Sequence, residues 1–228
     1  MKAIKLLIIA GLLLSVNLYS QKIKSFKVEA FNQLEVYGKF DIELKKSSEF
    51  SVKLYSDNID LSKVDVVVEN KKMKISALSG LFKKNSKVSV TIEYDSLNSL
   101  LVTNGAEIYS SKPVQVNNLK LVAGNGSTVN LKFETESFTA YADKGATINA
   151  EGKSKFLDIE VASGGIMNGF EFICDSADVR CNAGGMVKIN AKRYLKAAAS
   201  TGGEIIYRGK PVLNQRTTLG GKIEQMKE

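Results

Sequence analysis

LDIEVASGG (157–165), ADVRCNAGG (177–185) and LKAAASTGG (195–203) repeat one phrase three times: a strand-like run that ends in Gly-Gly. Outward from these runs, the first glycine recurs as Gly105, Gly126, Gly145, Gly164, Gly184, Gly202 and Gly220, at intervals of 18 to 21 residues. That period is too short for a helical-hairpin repeat and too long for a β-hairpin meander. It is the length of one turn of a β-solenoid, in which each unit stacks only on its neighbours. Counting back from the glycines sets the phase. Three positions before them stand Val102, Ala123, Ala142, Val161, Cys181, Ala199 and Thr217; five before stand Leu100, Leu121, Ala140, Ile159, Val179, Ala197 and Gln215. The columns seven before and three after are similarly apolar. Side chains two apart on a strand share a face, so these columns predict the inward stacks of one core. The polar members, Asn98 at one end and Gln215 and Thr217 at the other, are expected in terminal coils.

The glycines are expected to be corners, where the backbone turns through angles that other residues resist and where stacked chains approach closely. A phosphate cradle is excluded, because no helix follows the glycines and no Lys-Ser pair is placed to use one. Before the coils, residues 23–94 alternate with period two, as half-buried strands do. Val64, Val66 and Val68 lead through Glu69-Asn70-Lys71 to Met73 and Ile75, which reads as a hairpin. A polar loop over 80–86 carries two apolar residues, Leu81 and Phe82. The expected organisation is a secretory signal over 1–20, an N-terminal strand region over 21–96 that extends or caps the solenoid, and the coils over 97–228.

The signal reading rests on Lys2 and Lys5 before the apolar Leu6–Leu14 and a polar exit ending at Ser20. Export places the chain in the periplasm or at the cell surface, with no later transmembrane candidate. The formal charge of +8 is spread along strands rather than clustered, and with export it argues against a nucleic-acid partner. Cys174 and Cys181 are close enough in sequence to pair in an oxidising compartment, whereas the inward phase of Cys181 fits a buried free thiol. With no histidine in the chain, zinc sites of ordinary type and triad chemistry lose their usual ligand and base. No cofactor or metal is expected.

Three stretches carry a family resemblance: GGEIIYRGKPVLNQRTTLGGKIEQM (202–226), VTNGAEI (102–108) and LEVYGKFDIELKKSSEFSVKLYSDN (34–58). Over essentially the whole mature chain the sequence resembles the head GIN domain family, whose members are also labelled auto-transporter adhesins. The resemblance implies an exported, right-handed parallel β-helix of the bacterial envelope. It brings no catalytic residues and no ligand.

Two outward features remain as candidate sites. Asp158 and Asp178 share the column six before the corner, with Glu160 and Arg180 two residues along. The carboxylates would lie about one rung, roughly 5 Å, apart, a spacing that suits calcium or a carbohydrate-active, lyase-like site. Equally, Glu160 stacks on Arg180 and Asp178 on Lys196, which makes the strip a set of rung-to-rung ion pairs. The second feature is the apolar start of the column four before the corner: Leu101, Val122 and Tyr141. Either the N-terminal strands or the 80–86 loop cover it, which is the favoured arrangement, or it binds a partner. The expected function is a non-catalytic binding, adhesion or scaffold module for protein or glycan. Self-association through an open solenoid end is a further expectation.

Overall fold

Each corner is made of two consecutive left-handed residues. The residue before the glycine has φ between +46° and +61°, and the glycine itself between +71° and +77°, the φ pattern of a type I′ turn. Hydrogen bonds close these turns, as from Ala146 N to Asp143 O at 3.0 Å and from Gly203 N to Ser200 O at 2.8 Å. Neighbouring corners are also tied together, the Gly126 amide donating to Lys144 O at 3.0 Å and that of Gly184 to Thr201 O at 3.1 Å. From Gly126 to Gly202 a Cβ added at the first glycine meets nothing within 4 Å. The angle alone demands glycine there. The close approach expected of the corner belongs instead to the second glycine: a Cβ on Gly165 would lie 2.5 Å from Ala142 O, and one on Gly203 2.4 Å from Cys181 O.

The computed structural model describes residues 22–78, 80–82 and 86–226; the signal expected over 1–20 lies outside them. The repeating coils comprise β8 (Ser99–Thr103), β9 (Glu107–Ser110), β10 (Val114–Ala123), β11 (Thr128–Ala142), β12 (Thr147–Val161), β13 (Ile166–Cys181), β14 (Met186–Ser200), β15 (Glu204–Arg208), β16 (Val212–Thr218) and β17 (Lys222–Gln225). Every ladder among them is parallel. The long strands β11 to β14 run from one corner, around a bend at the far edge, and on to the next corner. Rungs register on one another at the corner side, for example Leu121 on Ala140, Ala140 on Ile159 and Ile159 on Val179. The predicted inward columns are buried through the stack, Leu100, Leu121, Ile159 and Val179 each at 0% exposure. Phe133, Phe138 and Phe172 fill the bend end of the core with ring centroids 4.8 to 5.8 Å apart. Coil length varies at this bend, where the ladders slip register between Asn149 and Gly152 and between Gly169 and Ile173.

The N-terminal strands are β1 (Lys22–Lys27), β2 (Gln33–Tyr37), β3 (Phe40–Lys46), β4 (Ser51–Ser56), β5 (Val64–Glu69), β6 (Lys72–Ala77) and β7 (Val88–Tyr94). β2 pairs in parallel with both β6 and β8, and β3 with both β7 and β9. The β2–β3 unit is therefore a coil of the solenoid, inserted between β6–β7 and β8–β9. Asn98 is not in a terminal coil: its amide donates to Asn32 O at 2.8 Å and its carbonyl accepts from Lys120 N at 2.9 Å. Beyond β6 and β7 the parallel ladders end in antiparallel strands: β5 on β6, β4 on β7 and β1 on β4. The β5–β6 hairpin turns through Asn70 and Lys71, both left-handed, as the alternation around them predicts. At the opposite end, in β16, the inward positions Gln215 and Thr217 are exposed.

Candidate functional site

The outer sheet face beside the corners carries both predicted sites. Leu101, Val122 and Tyr141 stand in register on consecutive rungs, and all three are half-buried. The favoured covering does not occur among the described residues. β2 extends the sheet edge-on, so that Glu35 and Tyr37 fall beside Leu101 and Thr103. Phe82, from the loop expected to fold over the strip, instead packs edge-on against Phe40 at 5.1 Å. The reason is the edge itself: β8 offers a free ladder of backbone groups, and β2 satisfies them better as a strand than as a lid.

The strip borders a shallow hollow of about 300 Å³, edged by Tyr37, Thr103, Asn104, Asn125 and Asp143. Gly124 opens it. A Cβ at Gly124 would lie 2.9 Å from Asp143 Oδ1 and 3.6 Å from Thr103 Oγ1. The Asn125 amide donates to Thr103 Oγ1 at 3.1 Å and to Asn104 Oδ1 at 3.0 Å, which holds the polar rim in place. A tyrosine stands at each end of the strip. The Tyr37 hydroxyl donates to Glu35 at 3.1 Å, and Glu35 also pairs with Lys72 at 2.9 Å. The hydrogen bond from Lys72 keeps the Glu35 carboxyl below its ordinary pKa. Burial, then the carboxylates of Asp143 and Glu160, push the Tyr141 phenol above its ordinary value. Both hydroxyls are thus protonated donors at neutral pH, set beside apolar surface.

The acidic strip begins on the next rung of the same face, where Glu160 registers on Tyr141. Asp158 registers on Asp178, Glu160 on Arg180 and Asp178 on Lys196. Arg180 reaches all three carboxylates, at 2.6 Å from Asp158, 3.1 Å from Asp178 and 3.8 Å from Glu160. Lys196 holds the second oxygen of Asp178 at 2.8 Å. Desolvation alone would lower the Arg180 pKa, but Asp158, Asp178 and Glu160 together leave it raised. The carboxylates that calcium or acid–base chemistry would use are occupied by a fixed cation. Among the described residues no cluster of three acidic or cysteine side chains is placed to hold a metal ion, and no helix is long and apolar enough to cross a membrane.

Cys174 and Cys181 are both buried free thiols, and Cys174 Sγ contacts Asn190 O at 3.5 Å. Burial pushes Cys174 up to about 12 and Cys181 up to about 11. Neither is a nucleophile at neutral pH.

Sequence reasoning missed the bend edge. Phe156 and Tyr194 stand eight before their corners, 55% and 39% exposed. Counting one residue further back from each glycine would have found them.

No curated protein matches the chain in sequence. A solved structure from Bacteroides fragilis, a "putative adhesin", aligns with a TM-score of 0.83 at 16% identity, over 90% of this chain and 97% of that one. A "putative adhesin" from Parabacteroides merdae aligns at 0.73 and 18% identity, over 91% and 96%. A "putative lipid binding protein" from Parabacteroides distasonis aligns at 0.68 and 17% identity, over 91% and 97%. At such identities the likeness establishes the fold, and the differing names show that this fold fixes no ligand. The family model described as "Putative auto-transporter adhesin, head GIN domain" matches residues 30–211, from just before β2 to the end of β15. The chain belongs to the head GIN domain family.

Proposed function

We propose that this chain is an exported, non-catalytic binding module of the adhesion type, working in the periplasm or at the cell surface. It engages a protein or glycan of the envelope through the outer sheet face at Leu101, Val122 and Tyr141. The observation that carries this reading is the hollow at Gly124: half-exposed apolar surface with a protonated tyrosine at each end and Asn/Asp groups along one side. Such surfaces combine apolar contact area with directional hydrogen bonds at low entropic cost. The family's name as an adhesin supports the same class. The carbohydrate-active alternative at Asp158, Glu160 and Asp178 is disfavoured, because Arg180 already pairs with all three carboxylates of that strip.

The test pairs a glycan array with a depolymerisation assay, with and without calcium. Gly124→Ala sets a methyl into the hollow and displaces the side-chain end of Asp143, at a backbone angle alanine accepts. Ligand retention that Gly124→Ala and Tyr141→Ala both abolish, without turnover, supports the proposal. Turnover lost in Asp178→Ala overturns it.

A further inference from the structure

At the bend edge, the column eight before each corner reads Ser137, Phe156, Ser176, Tyr194 and Val212, one residue per rung in unbroken register. Serine separates the two rings, which are therefore two rungs apart, roughly 9–10 Å. They are too distant to stack on each other, and Phe156 stays 55% and Tyr194 39% exposed, more than is usual for large aromatics.

Charge follows the same two-rung period. The coil of Phe156 brings Lys153 and Lys155 to this edge, and the coil of Tyr194 brings Lys192 and Arg193. The coil between them brings Asp175 and Ser176. A groove of about 530 Å³ lies on the residues that precede the rings in these coils, with Gly152, Ser154 and Cys174 along it and Lys153, Lys155 and Lys192 on its walls; Phe156 follows Lys155 directly, though neither ring lines the groove. Gly152 is a space requirement, since a Cβ there would lie 2.1 Å from Phe133 O. Lys155 pairs with Glu136 at 2.6 Å and Lys153 with Glu134 at 3.7 Å. Arg193 pairs with Asp175 at 3.6 Å. Lys192 has no ion-pair or hydrogen-bond partner among the described residues. With these partners counted, Lys153, Lys155, Lys192 and Arg193 face Glu134, Glu136 and Asp175, which leaves Lys192 as the surplus cation.

A ligand that fits must be extended along the solenoid axis, offer an apolar ring face at every second unit, and carry anionic groups in step with those faces. An extended, equatorially linked chain of acidic sugars has these properties: alternate rings turn the same C–H face to one side, and each carries a carboxylate. Single-stranded nucleic acid fits less well. Its successive bases are closer than the two rings.

We propose that the bend edge is a second binding site, for an extended acidic polysaccharide, with Phe156 and Tyr194 as stacking platforms and Lys155 and Lys192 as anion contacts. The site is separate from the sheet face at Tyr141 and stands or falls independently of it. Calorimetric titration of the full mature chain with β-1,4-linked oligomannuronate in chelator-containing buffer tests this, with cellohexaose and oligothymidylate as controls. Oligomannuronate binds, and more weakly as salt rises. Phe156→Ala and Tyr194→Ala each weaken it by about tenfold, with unchanged unfolding midpoints, because both side chains are exposed. Lys192→Ala weakens it and flattens the salt dependence, and Tyr141→Ala leaves it intact. Absence of binding, equal binding of cellohexaose or oligothymidylate, or indifference to both ring deletions each overturns the proposal.

Discussion

Replacing Gly202 and Gly203 by alanine, one at a time, separates the two demands made by a corner. Gly202 has φ +73° and open space around an added Cβ. Alanine there is strained but touches nothing, so the cost is that of one left-handed residue, about 1 kcal/mol. For a chain of this size that lowers the unfolding midpoint by about 2–4 °C. Gly203 has no positive φ, yet its Cβ would lie 2.4 Å from Cys181 O and 2.6 Å from Cys181 C. Relief requires the rung to move away from its neighbour, while Gly203 N holds Ser200 O at 2.8 Å and Gly203 O accepts from Lys222 N at 2.9 Å. Overpacking together with weakened ladder bonds costs about 2–3 kcal/mol, or a fall of about 4–12 °C. Gly202→Asn recovers most of the first loss, because asparagine already holds a left-handed corner position at Asn104 and Asn125. Thermal unfolding followed by circular dichroism reads all three variants. A loss at Gly202→Ala equal to or greater than that at Gly203→Ala refutes the assignment of angle to the first glycine and room to the second.

Leu121→Asp places a carboxylate between Leu100 and Ala140 in a fully buried column and abolishes the folded state, whereas Lys120→Ala, exposed one residue earlier, changes stability by less than about 0.5 kcal/mol; cooperative unfolding of Leu121→Asp would show the inward phase to be wrong by one residue. Cys174 and Cys181 react with a thiol reagent at pH 8 only after denaturant is added. Because both folded thiols are raised, to about 12 and about 11, their contribution to stability is intact below the unfolded thiol value of roughly 8.5. It is lost as pH rises from there through the folded values, so serine at either position flattens the alkaline decline in midpoint. Arg180→Ala costs under about 1 kcal/mol, as exposed ion pairs do, but releases Asp158, Glu160 and Asp178. Millimolar calcium then raises the midpoint of the variant and not that of the parent; a parent that responds equally shows that Arg180 does not occupy the strip.

The corner side of the solenoid was legible because one repeated glycine sets a phase, and alternation along the strand then assigns Leu121, Ile159 or Val179 inward without further information. The same count placed Leu101, Val122 and Tyr141 outward in one column, which the register bears out. It could not say what lay over them. That depends on whether a remote strand pairs with an edge or crosses a face, and Gln33–Tyr37 alternates identically in both cases. The β2–β3 coil was hidden because its corner at Gly38, with φ +122°, departs from the two-residue left-handed turn of the others. The bend resisted reading from the other direction. Coil lengths differ there by bulges after Asn149 and Gly169, so counting forward from a corner loses register before it reaches Ser154 or Cys174.

The insertion of β2–β3 between β6–β7 and β8–β9 means that order of synthesis and order in space differ. The first complete coil to be synthesised is a template with two growing faces. One face receives β6 and β7 in parallel and is then closed by the antiparallel β5, β4 and β1. The other is extended a coil at a time by everything that follows. Length is therefore adjustable on one side only: whole coils can be gained or lost after β9 with each new rung copying the ladder beneath it, while a deletion in β2–β3 would part the plug from the stack.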